Sequence, residues 1–308
     1  MRRRALFLLF LFFALTAPLQ ETAASFPTQN VQASATQNRP VQTIQFESKL
    51  VGKALPYNVV LPVDYDLPAA ASTRYPVLYL LHGLFGHYDN WTTKTKVADY
   101  ASQYSLIIIT PEGNDGWYTD SATVAADKYE TYVIEELIPD VQHRYRTIEA
   151  REGRAVAGLS MGGYGALKFG VKYPAKFSFV ASMSGAFGAA SWTESDLRGL
   201  AAIWRTLSPV FGPADSPARP ANDRYKLYRK LSAERVAALP YVYLDCGTED
   251  QLLPGNRAFV DILLNKKIPH EYRQLPGTHA WTYWDAQVQE VLRIAAKKFM
   301  TQSKSAAD

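Results

Sequence analysis

Cysteine is almost missing from this chain. Cys246 is the only one in 308 residues, so no intramolecular disulfide can form. A domain of this length buries a full core without such staples, so an oxidising compartment stays compatible. Dense charge is equally scarce. The formal net charge of +4 draws partly on Arg2, Arg3 and Arg4. Beyond them no basic run stands out, and nucleic acid is excluded as an expected partner. No internal repeat is visible. Hydrophobic content of 47% with 20% charged residues excludes wholesale disorder.

The N-terminus holds what the rest lacks. Met1 to Arg4 is a basic patch, and Ala5 to Leu15 is an apolar run shorter than the ~20 residues of a comfortable membrane span. The pair reads as a signal peptide over residues 1–24, with Thr22 and Ala24 at minus three and minus one of a cut. An uncleaved anchor is the alternative. The expected localisation is secreted or periplasmic, with no stable membrane anchoring once the signal is removed. Residues 25–42, rich in Gln, Ser, Thr, Ala and Asn, read as a flexible leader.

From residue 43 the pattern predicts one α/β domain to residue 302, followed by a short tail over 303–308. Val41–Val51 and Leu55–Val63 read as an antiparallel hairpin at one sheet edge. Val77–Leu81, Leu106–Ile109, Ala155–Ala157, Phe179–Met183 and Tyr241–Leu244 are continuous apolar runs, as in parallel strands buried on both faces. Helical patterns lie between them. The clearest runs from Tyr129 to Tyr145 with Pro139 as a kink, and a last one runs from Tyr283 to about Met300. That alternation implies a mostly parallel, doubly wound sheet. Residues 187–238 break the rhythm and form an insertion, read either as a cap over the active site or as a peripheral excursion.

Gly158-Leu159-Ser160-Met161-Gly162 sits between a strand and a helix. Glycines at minus two and plus two allow a turn too tight for neighbours with a Cβ, which leaves the serine strained and its hydroxyl exposed. That geometry resembles the nucleophile elbow of the α/β-hydrolases, where acid and histidine follow the serine, each at the end of a strand. His279, just past the strand expected at Glu271–Leu275, fits the base; His270 falls before it. Asp250, beyond the strand ending at Leu244, fits the acid, with Glu249 its nearest competitor and Asp245 still inside the strand. The oxyanion needs two backbone N–H donors. Met161 supplies one, and Leu84 in the loop Leu81–Gly86 is the candidate for the other. His82 reads as a brace for that loop.

His82-Gly83-Leu84, Gly158 to Ala166, Cys246-Gly247-Thr248-Glu249-Asp250 and Gly277-Thr278-His279 together resemble the esterase D-like esterases of the α/β-hydrolases. That group includes S-formylglutathione hydrolases, tributyrin and feruloyl esterases, and mycolyl transferases. The resemblance covers roughly residues 43–300. It implies Ser160 as nucleophile, Asp250 as acid, His279 as base, and Leu84 and Met161 as oxyanion donors. It also implies that Pro111–Tyr118 borders the pocket, with Trp117 and Tyr118 as candidate substrate contacts; Phe85, beside Leu84, is a further candidate contact. The expected activity is a serine carboxylesterase on short-chain or carbohydrate-linked esters, acting through an acyl-enzyme with no cofactor and no metal. An acyltransferase or a thioesterase on the same three residues is the alternative, and a non-catalytic binding protein is a further one.

Overall fold

The computed structural model describes residues 40–305. The expected signal peptide, and the leader as far as residue 39, lie outside them. Eight strands form the main sheet. Gln42–Ile44 (β1) pairs antiparallel with Tyr57–Val60 (β4), Ile44 opposite Tyr57. The expected hairpin is interrupted, because Glu47–Ser48 (β2) and Lys53–Ala54 (β3) pair with each other in a small separate ribbon. The remaining strands are Val77–Leu81 (β5), Ile107–Pro111 (β6), Arg154–Leu159 (β7), Phe179–Met183 (β8), Tyr241–Gly247 (β9) and His270–Leu275 (β10). Their order is β1-β4-β6-β5-β7-β8-β9-β10, parallel from β6 to β10.

Each central strand alternates its side chains between two cores. Val77, Tyr79 and Leu81 face one, which also takes Tyr164 and Leu167 from helix Met161–Lys172. Leu78 and Leu80 face the other, which takes Val288, Val291 and Leu292 from helix Trp281–Ser305. Covered on both faces, such strands need no polar alternation, which is why they appear as unbroken apolar runs. No helix of the described residues is long and apolar enough to cross a membrane.

The topology places the site. From β5 the chain moves outward to β6, then returns to the far side of β5 as β7 and continues outward to β10. The connections leaving β5 and β7 therefore diverge, and a crevice opens beyond their carboxyl ends, where ligands bind in sheets of this kind. Residues 187–238 supply helices Ala201–Phe211, Ala218–Asn222, Arg224–Arg229 and Ala233–Ala237.

Candidate active site

Ser160 stands between β7 and helix Met161–Lys172 with φ 51° and ψ −114°, a left-handed conformation rarely tolerated by a residue with a side chain. The turn is held from three sides. Ser160 N donates to Met183 O at 2.9 Å, and Ser160 O accepts from Tyr164 N at 3.0 Å and Ala186 N at 3.1 Å. A Cβ on Gly158 would sit 2.5 Å from the Gly162 carbonyl carbon, so the turn closes only on glycine. On Gly162 it would sit 2.5 Å from Leu81 O and 2.6 Å from His82 O. The elbow is thus pressed against the loop that leaves β5.

His279 follows β10 and reaches both partners. Its Nε2 lies 3.0 Å from Ser160 Oγ, and its Nδ1 lies 2.8 Å from Asp250 Oδ2. The carboxylate requires the imidazole proton on Nδ1, leaving Nε2 free to accept from the serine hydroxyl. Asp250 is buried, and its Oδ1 accepts from Leu252 N at 2.8 Å. Burial alone would push this carboxyl up. The hydrogen bonds from His279 and Leu252 N outweigh it and hold Asp250 below its ordinary value. Ser160, Asp250 and His279 are brought together, while the competing carboxylates go elsewhere. Glu249 points outward and accepts from Gly277 N, and Asp245 is buried inside β9 against the Tyr283 hydroxyl. His270 opens β10 and bonds Ile268 O.

The loop after β5 is braced by His82. Its Nε2 accepts from Gly113 N at 2.9 Å, so the proton sits on Nδ1, which donates to Gly83 O at 2.7 Å. In a trans peptide the carbonyl and the following N–H point opposite ways, so anchoring Gly83 O turns Leu84 N–H to the other side of the loop. Met161 is the first residue of its helix, and its N–H has no acceptor within the helix. Leu84 and Ser160 both line a cavity of about 700 Å³.

Phe85 and Trp117, two of the three expected substrate contacts, also line that cavity. Tyr118 does not. It is fully buried, with its hydroxyl donating to His82 O at 3.2 Å. The reason is a pair of consecutive left-handed residues, Trp117 at φ 52° and Tyr118 at φ 48°, which turns Trp117 to the cavity and Tyr118 inward. Such strain costs about 1–3 kcal/mol per residue and survives only where the surroundings impose it. Buried Lys168 does so, donating to Tyr118 O at 2.8 Å and Thr119 Oγ1 at 2.6 Å while paired with Glu130 at 2.6 Å. Sequence reasoning missed this anchor, and also Leu197 and Ile203, which with Trp192 are the residues by which the insertion walls the cavity.

Among the described residues no cluster of histidine, cysteine and carboxylate side chains could hold a metal ion. The arrangement sets a serine hydroxyl against an oriented imidazole at the wall of the cavity. Comparison with known proteins places the chain among esterases. Residues 48–294 match the family described as "Putative esterase". The chain is 28% identical over 263 residues to an acetyl esterase of Caldicellulosiruptor saccharolyticus, covering 83% of this chain and 98% of that one. It is 33% identical over 261 residues to Esterase Rv1288 of Mycobacterium tuberculosis, covering 77% of this chain but only 55% of that longer protein. A solved ferulic acid esterase superposes with a TM-score of 0.71 at 29% identity, over 84% of this chain and 98% of the other. The chain belongs to this esterase family and is an ester-hydrolysing enzyme of the α/β-hydrolase fold.

Proposed function

We propose that the enzyme is a serine carboxylesterase acting on short-chain or carbohydrate-linked carboxylic esters through an acyl-enzyme on Ser160. The relay of 3.0 Å from Ser160 Oγ to His279 Nε2 and 2.8 Å from His279 Nδ1 to Asp250 is the observation that carries the reading. A serine hydroxyl is a weak nucleophile, and a base at this distance removes its proton as the bond to the carbonyl carbon forms. Asp250 keeps the imidazole in the accepting tautomer and stabilises the imidazolium that results. The negative charge moves to the carbonyl oxygen, where the Leu84 and Met161 amides meet it; one such donor is worth about 10²–10³ in rate. His279 then returns its proton to the departing alcohol, and water repeats the sequence to free the acid. The similarity to an acetyl esterase and to a ferulic acid esterase supports ester substrates of this kind.

A panel of p-nitrophenyl acyl esters, methyl ferulate, acetylated xylan and S-formylglutathione tests the reading. Turnover of carboxylic esters by the native enzyme and none by Ser160→Ala is the expected result. Turnover that survives in Ser160→Ala overturns it, as does hydrolysis confined to the thioester.

A further inference from the structure

We propose that Trp192 sets the size limit of the acyl group by standing between the active-site cavity and a second, smaller cavity behind it. The inference rests on Ser160 forming the acyl-enzyme.

Chemistry assigns the two sides of the main cavity. The group that protonates the leaving oxygen is His279, so the alcohol lies beside its Nε2. Ala280, Trp281 and Trp284, which follow His279 in the chain, wall that side, and Lys94 sits over the Trp281 ring at 5.4 Å. The acyl chain leaves the reacting carbon in another direction, toward the wall made by Trp117 and by Trp192, Leu197 and Ile203 of the insertion. That wall is apolar, which suits hydrocarbon.

Beyond it lies a cavity of about 150 Å³, bordered by Gly185, Phe187, Gly188, Tyr225 and Gly255. Trp192, Gln251 and Leu252 border both spaces, and Trp192 is the largest of the three. Its position is fixed by packing. A Cβ on Gly188 would come within 2.5 Å of the indole Nε1, so the ring lies directly on that backbone. Trp192 O accepts from Arg219 Nη1 at 2.9 Å, and the same buried guanidinium bonds the carbonyls of Ala190, Gly212 and Pro213. The indole also meets Trp117 edge to face at 6.4 Å. A partition held this way stops an extended acyl chain. Removing it joins the smaller cavity to the acyl side, and each further methylene buried there gains about fourfold, equivalent to ~0.8 kcal/mol.

The test is the ratio of kcat/KM for p-nitrophenyl octanoate to that for the acetate ester, in the native enzyme, Trp192→Ala and Trp192→Phe, with thermal melting as the check on folding. The ratio is expected to rise at least tenfold in Trp192→Ala and by less in Trp192→Phe. If the alanine variant fails to fold, the phenylalanine variant carries the test with a rise of at least threefold. Gly255→Leu, added to Trp192→Ala or to Trp192→Phe, places a side chain in the smaller cavity and should return the ratio toward the native value. A ratio within twofold of native in the folded variant overturns the proposal, as does a gain that persists with Gly255→Leu. Ser160→Ala in parallel separates the two readings: ester turnover without Ser160 defeats the acyl-enzyme, whatever the chain-length ratio does.

Discussion

Glu249 and Gly277 are joined twice. The Glu249 carboxylate accepts from Gly277 N at 2.5 Å, and Glu249 N donates to Gly277 O at 3.0 Å. Glu249 precedes Asp250, and Gly277 lies two residues before His279, so this pair clamps the loop carrying Asp250 to the loop carrying His279. The loops could not meet without glycine on both sides: a Cβ on Gly247 would sit 2.1 Å from Gly277 O, and Gly277 has φ 144°.

Replacing Glu249 should therefore affect turnover more than binding. Glu249→Ala is expected to lower kcat about tenfold with KM little changed, because His279 and Asp250 lose their fixed separation. Glu249→Gln keeps an acceptor oxygen for Gly277 N and should retain most of the activity. Steady-state kinetics of the two variants decide it, and an undiminished kcat in Glu249→Ala removes the clamp from the account.

Gly162→Ala probes the contact between the serine turn and the loop that leaves β5, which carries the proposed oxyanion donor Leu84. Its methyl group would meet two backbone carbonyls, Leu81 O and His82 O, which cannot rotate away as a side chain can. Helix and loop must part, and the Leu84 and Met161 amides part with them. Loss of kcat by about 10²-fold is expected, the scale of one oxyanion donor. Activity within threefold of native would show that the two amides do not act together.

Buried Asp245 gives stability a pH dependence. Burial pushes its carboxyl up to about 7, with the Tyr283 hydroxyl pulling the other way. Between its ordinary value of 3.8 and about 7, the folded state holds a proton that the unfolded state has released. Stability from this group is therefore greatest in acid, falls as pH rises across that window, and levels off above it, a change of a few kcal/mol at ~1.4 per pH unit. Asp245→Asn keeps an acceptor for Tyr283 without the charge. Melting temperatures of native and variant between pH 5 and 8 should show the native protein losing ground as pH rises. Parallel curves would mean that Asp245 stays ionised throughout.

Much of the sheet was legible because a strand covered on both faces is apolar along most of its length, as Val77–Leu81 is throughout and Phe179–Met183 is apart from Ser182. The serine turn was legible because glycine alone fits at 158 and 162. Other features carry weaker signals. Lys168, in a helix expected from its pattern, looks like a solvent-facing lysine; only folding brings Glu130, thirty-eight residues earlier, to pair with it. The kink expected at Pro139 falls at a change of helix type: the π-helical stretch Tyr132–Leu137 passes into the α-helix Ile138–Arg144, of which Pro139 is the second residue. Inside the insertion, helix Ala201–Phe211 begins only beyond Gly199 at φ 79°, a start that no pattern of apolar residues marks. The family resemblance implies Tyr118 as a substrate contact, and nothing in Gly116-Trp117-Tyr118 announces the two left-handed residues in a row that bury it instead. The second cavity behind Trp192 depends on segments distant in sequence, and no local pattern encodes it.

The role of Ser160 can be measured directly by covalent labelling with a fluorophosphonate, the modified residue being located by mass spectrometry in native enzyme, Ser160→Ala and His279→Ala. A single adduct on Ser160, absent from Ser160→Ala and much slower to form in His279→Ala, is the result expected if the imidazole activates that hydroxyl. An adduct on another residue, or labelling that persists in Ser160→Ala at the native rate, would contradict it.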